Sequence, residues 1–97
     1  MFDLKDATAE QFAEFEGQEF LVKTQDAAMS LRLLEVKGMG ASARDGGAFS
    51  LLWQGPAAPA LRQEIHLISH AGAGEHEVFL VPVAQAQAGI QYEAVFT

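Results

Sequence analysis

A chain of 97 residues and 10.4 kDa has room for a single domain, residues 1–97, since domains usually hold about 100–150 residues. Apolar residues make up 49% and charged residues 20%, which is typical of a folded globular protein. The net charge of −7 argues against nucleic-acid binding, and the lack of cysteine excludes disulfides and thiolate metal sites. No apolar run approaches the ~20 residues of a membrane span, and the first residues do not resemble a signal peptide.

The first structural signal predicts a helix over about residues 8–16. Thr8 followed three residues later by Gln11 fits a capping box, in which each side chain bonds the backbone N–H of the other residue. Two phenylalanines in this segment are three residues apart and therefore share a face. Gly17 is placed to end the helix in a left-handed conformation.

The rest of the chain is predicted to form strands. The alternation of apolar and polar residues reverses between Leu33 and Leu34 without a turn residue, which indicates a β-bulge. Residues 38–47 hold four glycines and are predicted to form a mobile loop, and residues 55–60 form a proline-containing connector. The six predicted strands are residues 19–24, 29–37, 49–54, 64–70, 77–83 and 91–97.

The lack of a second helix excludes parallel strand crossovers, so the sheet is predicted to be antiparallel. The fold class is therefore mainly β: a small six-stranded barrel or a two-layer sandwich, with the N-terminal helix plugging one end or covering one face. Strand 77–83 is apolar on both sides, so its outer face should be covered by the helix or by a partner. The predicted core residues are Phe20, Val22, Leu31, Leu33, Phe49, Leu51, Phe79, Val81, Tyr92 and Phe96.

Three histidines form the polar cluster that could bind a ligand. His66 and His70 share a strand face, and a hairpin centred on Ala73 would place His76 directly opposite His70. Such a pair could bind zinc, but the sequence does not place a third and a fourth ligand. We therefore expect the histidines to lie on the solvated face of the hairpin without a metal.

No pattern in the chain indicates catalysis or a cofactor. Ser69 is next to His70 and therefore on the opposite side of a strand, which argues against a nucleophile and its base. The glycines of residues 38–40 are not followed by a helix that could receive a phosphate. We expect a protein that is not an enzyme.

Several segments resemble an uncharacterised bacterial family of small domains of unknown function. The likeness rests on residues 49–56 (FSLLWQGP), 79–83 (FLVPV) and 92–96 (YEAVF), and on residues 2–4 (FDL) and 8–12 (TAEQF) near the start. Members of that family lie near genes for proteins with phage tail-collar-like domains. The resemblance implies a structural or assembly role and brings no catalytic residues.

The sequence thus favours a cytoplasmic, non-catalytic β domain that binds another protein, with phage-tail-like proteins as candidates. An acidic chain opposes self-association, so we expect a monomer with one apolar patch ahead of a weak homodimer favoured by salt. The alternative is a small barrel that holds a ligand or metal through His66, His70 and His76. The candidate contact residues are Trp53, which also fits a core position, Val78, Leu80 and Val95.

Overall fold

The computed structural model describes residues 7–23, 28–40, 47–57, 60–86 and 88–96. It contains one short helix and six antiparallel strands, as the sequence predicts. The elements are α1 (Ala9–Ala13), β1 (Glu19–Lys23), β2 (Ala28–Gly40), β3 (Ala48–Gln54), β4 (Glu64–His70), β5 (Gly74–Ala86) and β6 (Gly89–Phe96).

Helix α1 begins with the predicted capping box. The Gln11 N–H donates to the Thr8 hydroxyl over 3.2 Å, and the Thr8 N–H donates to the Gln11 side-chain oxygen over 2.9 Å. The helix ends at Ala13 rather than at residue 16, because the next backbone bonds are shorter-range turns. Gly17 then takes the expected left-handed conformation, with φ of +84°, and its N–H donates to the Leu33 carbonyl at 2.7 Å.

The six strands form one sheet that closes on itself in the order β1-β2-β3-β6-β5-β4. All six pairings are antiparallel, including the short pairing of β1 with β4 that completes the barrel. Of the two predicted architectures, the closed barrel is therefore the one that forms. Buried side chains alternate with exposed or half-buried ones along β1 and β3 and along the first parts of β2 and β5, so the core lies inside the barrel.

The reversal of alternation in β2 is a β-bulge, as predicted. The register against β3 shifts between Leu33 and Glu35, which leaves Leu34 as the additional, exposed residue. A second shift follows between Gly38 and Gly40, and these glycines still pair with β3. The predicted loop therefore begins later than residue 38, and its residues 41–46 lie outside the described residues.

Strand β5 is longer than predicted and changes its partner along its length. Residues 74–80 pair with β4, and residues 81–86 pair with β6. The inward side chains of its first half are buried, whereas Phe79 is exposed on the outside of the barrel. The prediction that Phe79 belongs to the core is wrong, because the opposite face of this two-sided strand is the one that points inward.

Helix α1 plugs one end of the barrel. The Phe12 side chain is fully buried, with its ring centroid 5.7 Å from that of Phe49 and 6.2 Å from that of Phe96. Phe96 is half-buried and packs against the core, whereas Val81 shares the outward face of Phe79, so its prediction as a core residue is also wrong. The other predicted core residues are fully buried. The fully buried ones are Phe20, Val22, Leu31, Leu33, Phe49, Leu51 and Tyr92.

No helix in the described part of the chain has the length and apolar character needed to cross a bilayer.

The plug predicts a large difference between two phenylalanines. Phe12→Ala should lower the free energy of unfolding by about 3–5 kcal/mol, because it removes a buried ring and leaves a cavity. Phe79→Ala should change it by less than about 1 kcal/mol, because that ring is already half exposed. Urea unfolding followed by the fluorescence of the buried Trp53 measures both values. Equal losses in the two variants would contradict the assignment of inside and outside.

Candidate functional site

The β4–β5 hairpin turns one residue earlier than predicted. His70 pairs with Gly74, which centres the hairpin on Gly72. Gly74 has φ of +86°, a backbone conformation that glycine adopts without steric cost, and it closes a three-residue turn. The predicted pairing of His70 with His76 is therefore wrong, since the residue opposite His76 is Ile68.

Two of the three histidines are buried, so the predicted solvated location is also wrong. His66 and His76 point into the barrel and are under one-tenth exposed. The Nε2 atom of His66 lies 2.8 Å from the Arg62 carbonyl oxygen, and that of His76 lies 2.6 Å from the Ala73 carbonyl oxygen. Because a carbonyl oxygen only accepts, each Nε2 carries a proton and donates it.

The third histidine, His70, joins the hairpin turn to the segment after the helix. Its Nδ1 atom accepts the Gly72 N–H at 2.9 Å, so its Nε2 atom donates to the Gln18 side-chain oxygen at 2.7 Å. Its ring centroid lies 4.9 Å from that of Phe15 and 4.8 Å from that of Phe20. These contacts fix the hairpin against the plugged end of the barrel.

The geometry of the histidines does not favour a metal site. All three Nε2 atoms donate hydrogen bonds to oxygen atoms of the protein. Within the residues that the structure describes, there is no group of three or more His, Asp or Glu side chains that could hold a metal ion. The hydrogen bonds of His66 and His76 instead satisfy polar atoms of rings that lie in a largely apolar interior.

Three of the four predicted contact residues belong to the core. Trp53, Val78 and Leu80 are almost completely buried, and only Val95 is exposed on the outside of the barrel. The Trp53 ring packs nearly perpendicular to that of Phe20, with centroids 4.8 Å apart. Its Nε1 atom has no hydrogen-bond partner among the described residues. These three side chains therefore pack the barrel and do not offer a surface for a partner.

A different set of apolar side chains faces outward on β4, β5 and β6. Ile65 and Phe79 lie directly opposite each other and are 62% and 49% exposed. Leu67 is the next outward residue on β4 and is also exposed. Together with the half-buried Val81 on β5 and the exposed Val95 on β6, these side chains form what we call the outer patch: Ile65, Leu67, Phe79, Val81 and Val95.

The strand register explains how β6 contributes to the outer patch. Val81 on β5 lies opposite Glu93 on β6. In antiparallel strands, Phe79 and Val95 lie two residues away from this pair in the same direction, and both point outward. Val95 is 49% exposed, as is Phe79, so both side chains contact solvent in the isolated domain.

An open groove with a volume of about 870 Å³ lies next to the outer patch, where β1 meets β4. Leu21 and Ser69, which are paired across these strands, line it. Ser69 is the next outward residue after Leu67, so the groove continues the surface of the patch. Glu19 and Glu75 also line the groove, and Arg32 on β2 lies directly opposite Glu19.

Ile65 and Phe79 were not predicted to be surface residues, although the sequence of β5 is apolar on both faces and so indicates an apolar outer surface. A closed barrel has only one interior, so a strand that is apolar on both faces must turn one of them outward. The alternation in β5 shows two such faces but does not identify the inner one. The register of the hairpin decides this, and the sequence leaves that register open.

A family model described as Domain of unknown function (DUF6916) matches residues 7–96. This chain belongs to that family. The match covers nearly the whole sequence and supports the predicted resemblance to an uncharacterised family of small domains. No curated protein and no solved structure matches the chain. The bacterial origin and the phage association of the family stay predictions.

The bonded histidines predict that zinc does not stabilise the domain. A site with micromolar affinity would add about 2.7 kcal/mol to the free energy of unfolding when zinc is at a hundredfold excess over Kd. We expect no such gain, because metal binding at an Nε2 atom would first break the hydrogen bond that this atom donates to a protein oxygen. Thermal unfolding with and without zinc measures it. A zinc-dependent rise in Tm that is lost in His70→Ala and retained in Glu10→Gln would contradict the prediction.

Proposed function

We propose that this domain binds another protein through the outer patch, serves in structural assembly and catalyses no reaction. The observation that carries the proposal is the row formed by Ile65 and Phe79, two large apolar side chains that are about half exposed and directly opposite each other. Clustered exposed apolar side chains on a soluble domain usually mark an interaction site. Aromatic and aliphatic anchors also supply much of the binding free energy at protein interfaces.

The position of the patch distinguishes it from other exposed apolar residues of the domain. Leu34 and Met39 are also exposed, but each is the additional residue at a bulge of β2. The outer patch instead has apolar side chains on three strands that are neighbours in the barrel. Single exposed apolar residues are common on protein surfaces, whereas contiguous ones are not.

The closed barrel favours recognition by side chains over the addition of a strand. Each strand has a hydrogen-bonded neighbour on both sides along part of its length. A partner would therefore contact the outward face of the sheet, where the patch lies. This mode requires shape and apolar complementarity, and it leaves the backbone pairing of the barrel intact.

The proposed lack of catalysis is supported by the surroundings of the serine and histidine residues of β4. The Ser69 hydroxyl donates to the Leu21 carbonyl oxygen at 3.4 Å, and Ser69 pairs with β1 on the outside of the barrel. His70 points the other way, with its two ring nitrogens hydrogen-bonded to Gln18 and Gly72.

The cysteine-free composition is consistent with a cytoplasmic protein. Phage-tail-like proteins are the first partners to test.

The proposal predicts that a double substitution in the patch abolishes partner binding. Products of the neighbouring genes are purified and tested one at a time for binding to the immobilised domain. The double variant with Ile65→Ser and Phe79→Ser should bind a partner at least about a hundredfold more weakly, because it lacks two anchors of a hydrophobic contact. Met39→Ser, which changes an equally exposed residue on β2, should have no effect.

Circular dichroism and thermal unfolding would establish that both variants retain the fold. A partner that binds the double variant as tightly as it binds the wild type would contradict the proposed surface.

The charge of the domain predicts that it does not form a tight oligomer. Copies with a net charge of −7 repel each other most strongly at low ionic strength. Light scattering should therefore give the mass of a monomer at low salt, with at most weak dimers at high salt. A stable oligomer that is already present at low salt would contradict this prediction.

A further inference from the structure

We infer that the partner segment that binds the outer patch is a basic amphipathic peptide stretch, with apolar residues on one side and Lys or Arg beside them. The inference rests on the proposed function and adds the chemistry of the partner. It is carried by the position of the acidic side chains of β5 and β6 relative to the patch. The groove next to the patch supports it independently.

Acidic residues border the outer patch along β5 and β6. Residues 63–97, which include all of β4, β5 and β6, hold four acids and no base. Glu77 lies directly opposite Leu67, and Glu93 lies directly opposite Val81. Both glutamates therefore occupy outward positions immediately next to apolar members of the patch. An apolar centre with an acidic border complements a partner with an apolar centre and a basic border.

The groove offers a place for a cationic side chain of the same partner. It begins one outward position beyond Leu67, so a segment lying on the patch reaches it within a few residues. Glu19 and Glu75 line it, together with the hydroxyls of Ser30 and Ser69. Carboxylates and hydroxyls accept hydrogen bonds from an ammonium or a guanidinium group. The aliphatic stem of such a side chain can pack on Leu21, which is exposed there.

Two basic residues near this surface set the direction of the partner: Lys23, and Arg32, which lies directly opposite Glu19. Lys23 lies opposite Leu67 on the β1 side, whereas Glu77 lies opposite Leu67 on the β5 side. The favourable potential for cations is therefore on the side of β5 and β6 and at the Glu75 side of the groove, away from Lys23 and Arg32. We expect the basic side chains of the partner to lie there and not over Lys23.

Other occupants fit this surface less well. A second copy of the chain carries the same net charge of −7, and its own patch has the same acidic border. Anionic lipid and nucleic acid would also meet carboxylates around the apolar centre, which repel them. A basic segment of another protein is the occupant whose charge and apolar character both match.

The test uses three labelled synthetic peptides of about 15 residues, long enough to form an amphipathic helix. All three carry leucine at the same helical positions, and their remaining positions are lysine, glutamine or glutamate. Fluorescence anisotropy measures the Kd of each peptide for the full chain. We expect the lysine peptide to bind, and to bind at least about tenfold more tightly than the glutamine peptide. The glutamate peptide should bind still more weakly.

Two matched triple variants separate a local effect from net charge. The first triple variant removes the acids beside the patch and the groove: Glu75→Gln, Glu77→Gln and Glu93→Gln. It should weaken binding of the lysine peptide about tenfold. The control triple removes the same charge from exposed glutamates on α1, its C-terminal cap and β2: Glu10→Gln, Glu14→Gln and Glu35→Gln. It should leave the Kd of the lysine peptide within about twofold. Equal weakening by the two triples would overturn the inference, because the peptide would then respond to net charge alone.

The peptides also separate this inference from the proposed function. The three peptides could bind the wild type equally and all lose binding in the variant with Ile65→Ser and Phe79→Ser. That result would overturn the inference of a basic partner but would leave the proposed apolar binding surface standing. A lysine peptide that binds the wild type and this double variant equally would overturn both. The inference is supported if binding of the lysine peptide is weakened in the double variant and in the first triple variant but not in the control triple variant.

Discussion

The change of partner along β5 is the constraint from which the rest of this structure follows. The strand pairs with β4 as far as Leu80 and with β6 from Val81 onward. This change links the β4 side of the sheet to the β6 side and so helps to close the barrel. It also places Val78 and Leu80 inside, which turns Phe79 outward. Among the described residues, the pairing of β5 with β6 runs from Val81 to Ala86, and the Phe12 ring packs against the rings of Phe49 on β3 and Phe96 at the end of β6.

The features that depend on local chemistry could be predicted from the sequence. The capping box of Thr8 and Gln11 and the left-handed Gly17 need only neighbouring residues, and both form as expected. The bulge at Leu34 is also local, because it appears as a reversal of alternation within one strand. The number of strands and their antiparallel arrangement followed from the turn residues and from the single helix.

The features that depend on register could not be predicted. Gly72 and Gly74 are both compatible with a tight turn, and a shift of one residue decides which residue faces His76. Phe79 and Leu80 are both large and apolar, so composition does not identify the one that faces the core. For the same reason the sequence assigned Val78 and Leu80 to the surface and missed Ile65. Only Val95 was correctly expected to be exposed.

The direct pairing of Ile65 with Phe79 on the outside of a closed barrel has a consequence for how the family can diversify. These side chains contribute little to the core, which is filled by inward residues of every strand and by Phe12 of the helix. Substitutions on the outer face can therefore alter the chemistry of this surface with little loss of folding stability. Evolution, or an engineer, can exchange this surface as an independent unit while the barrel keeps its strand order.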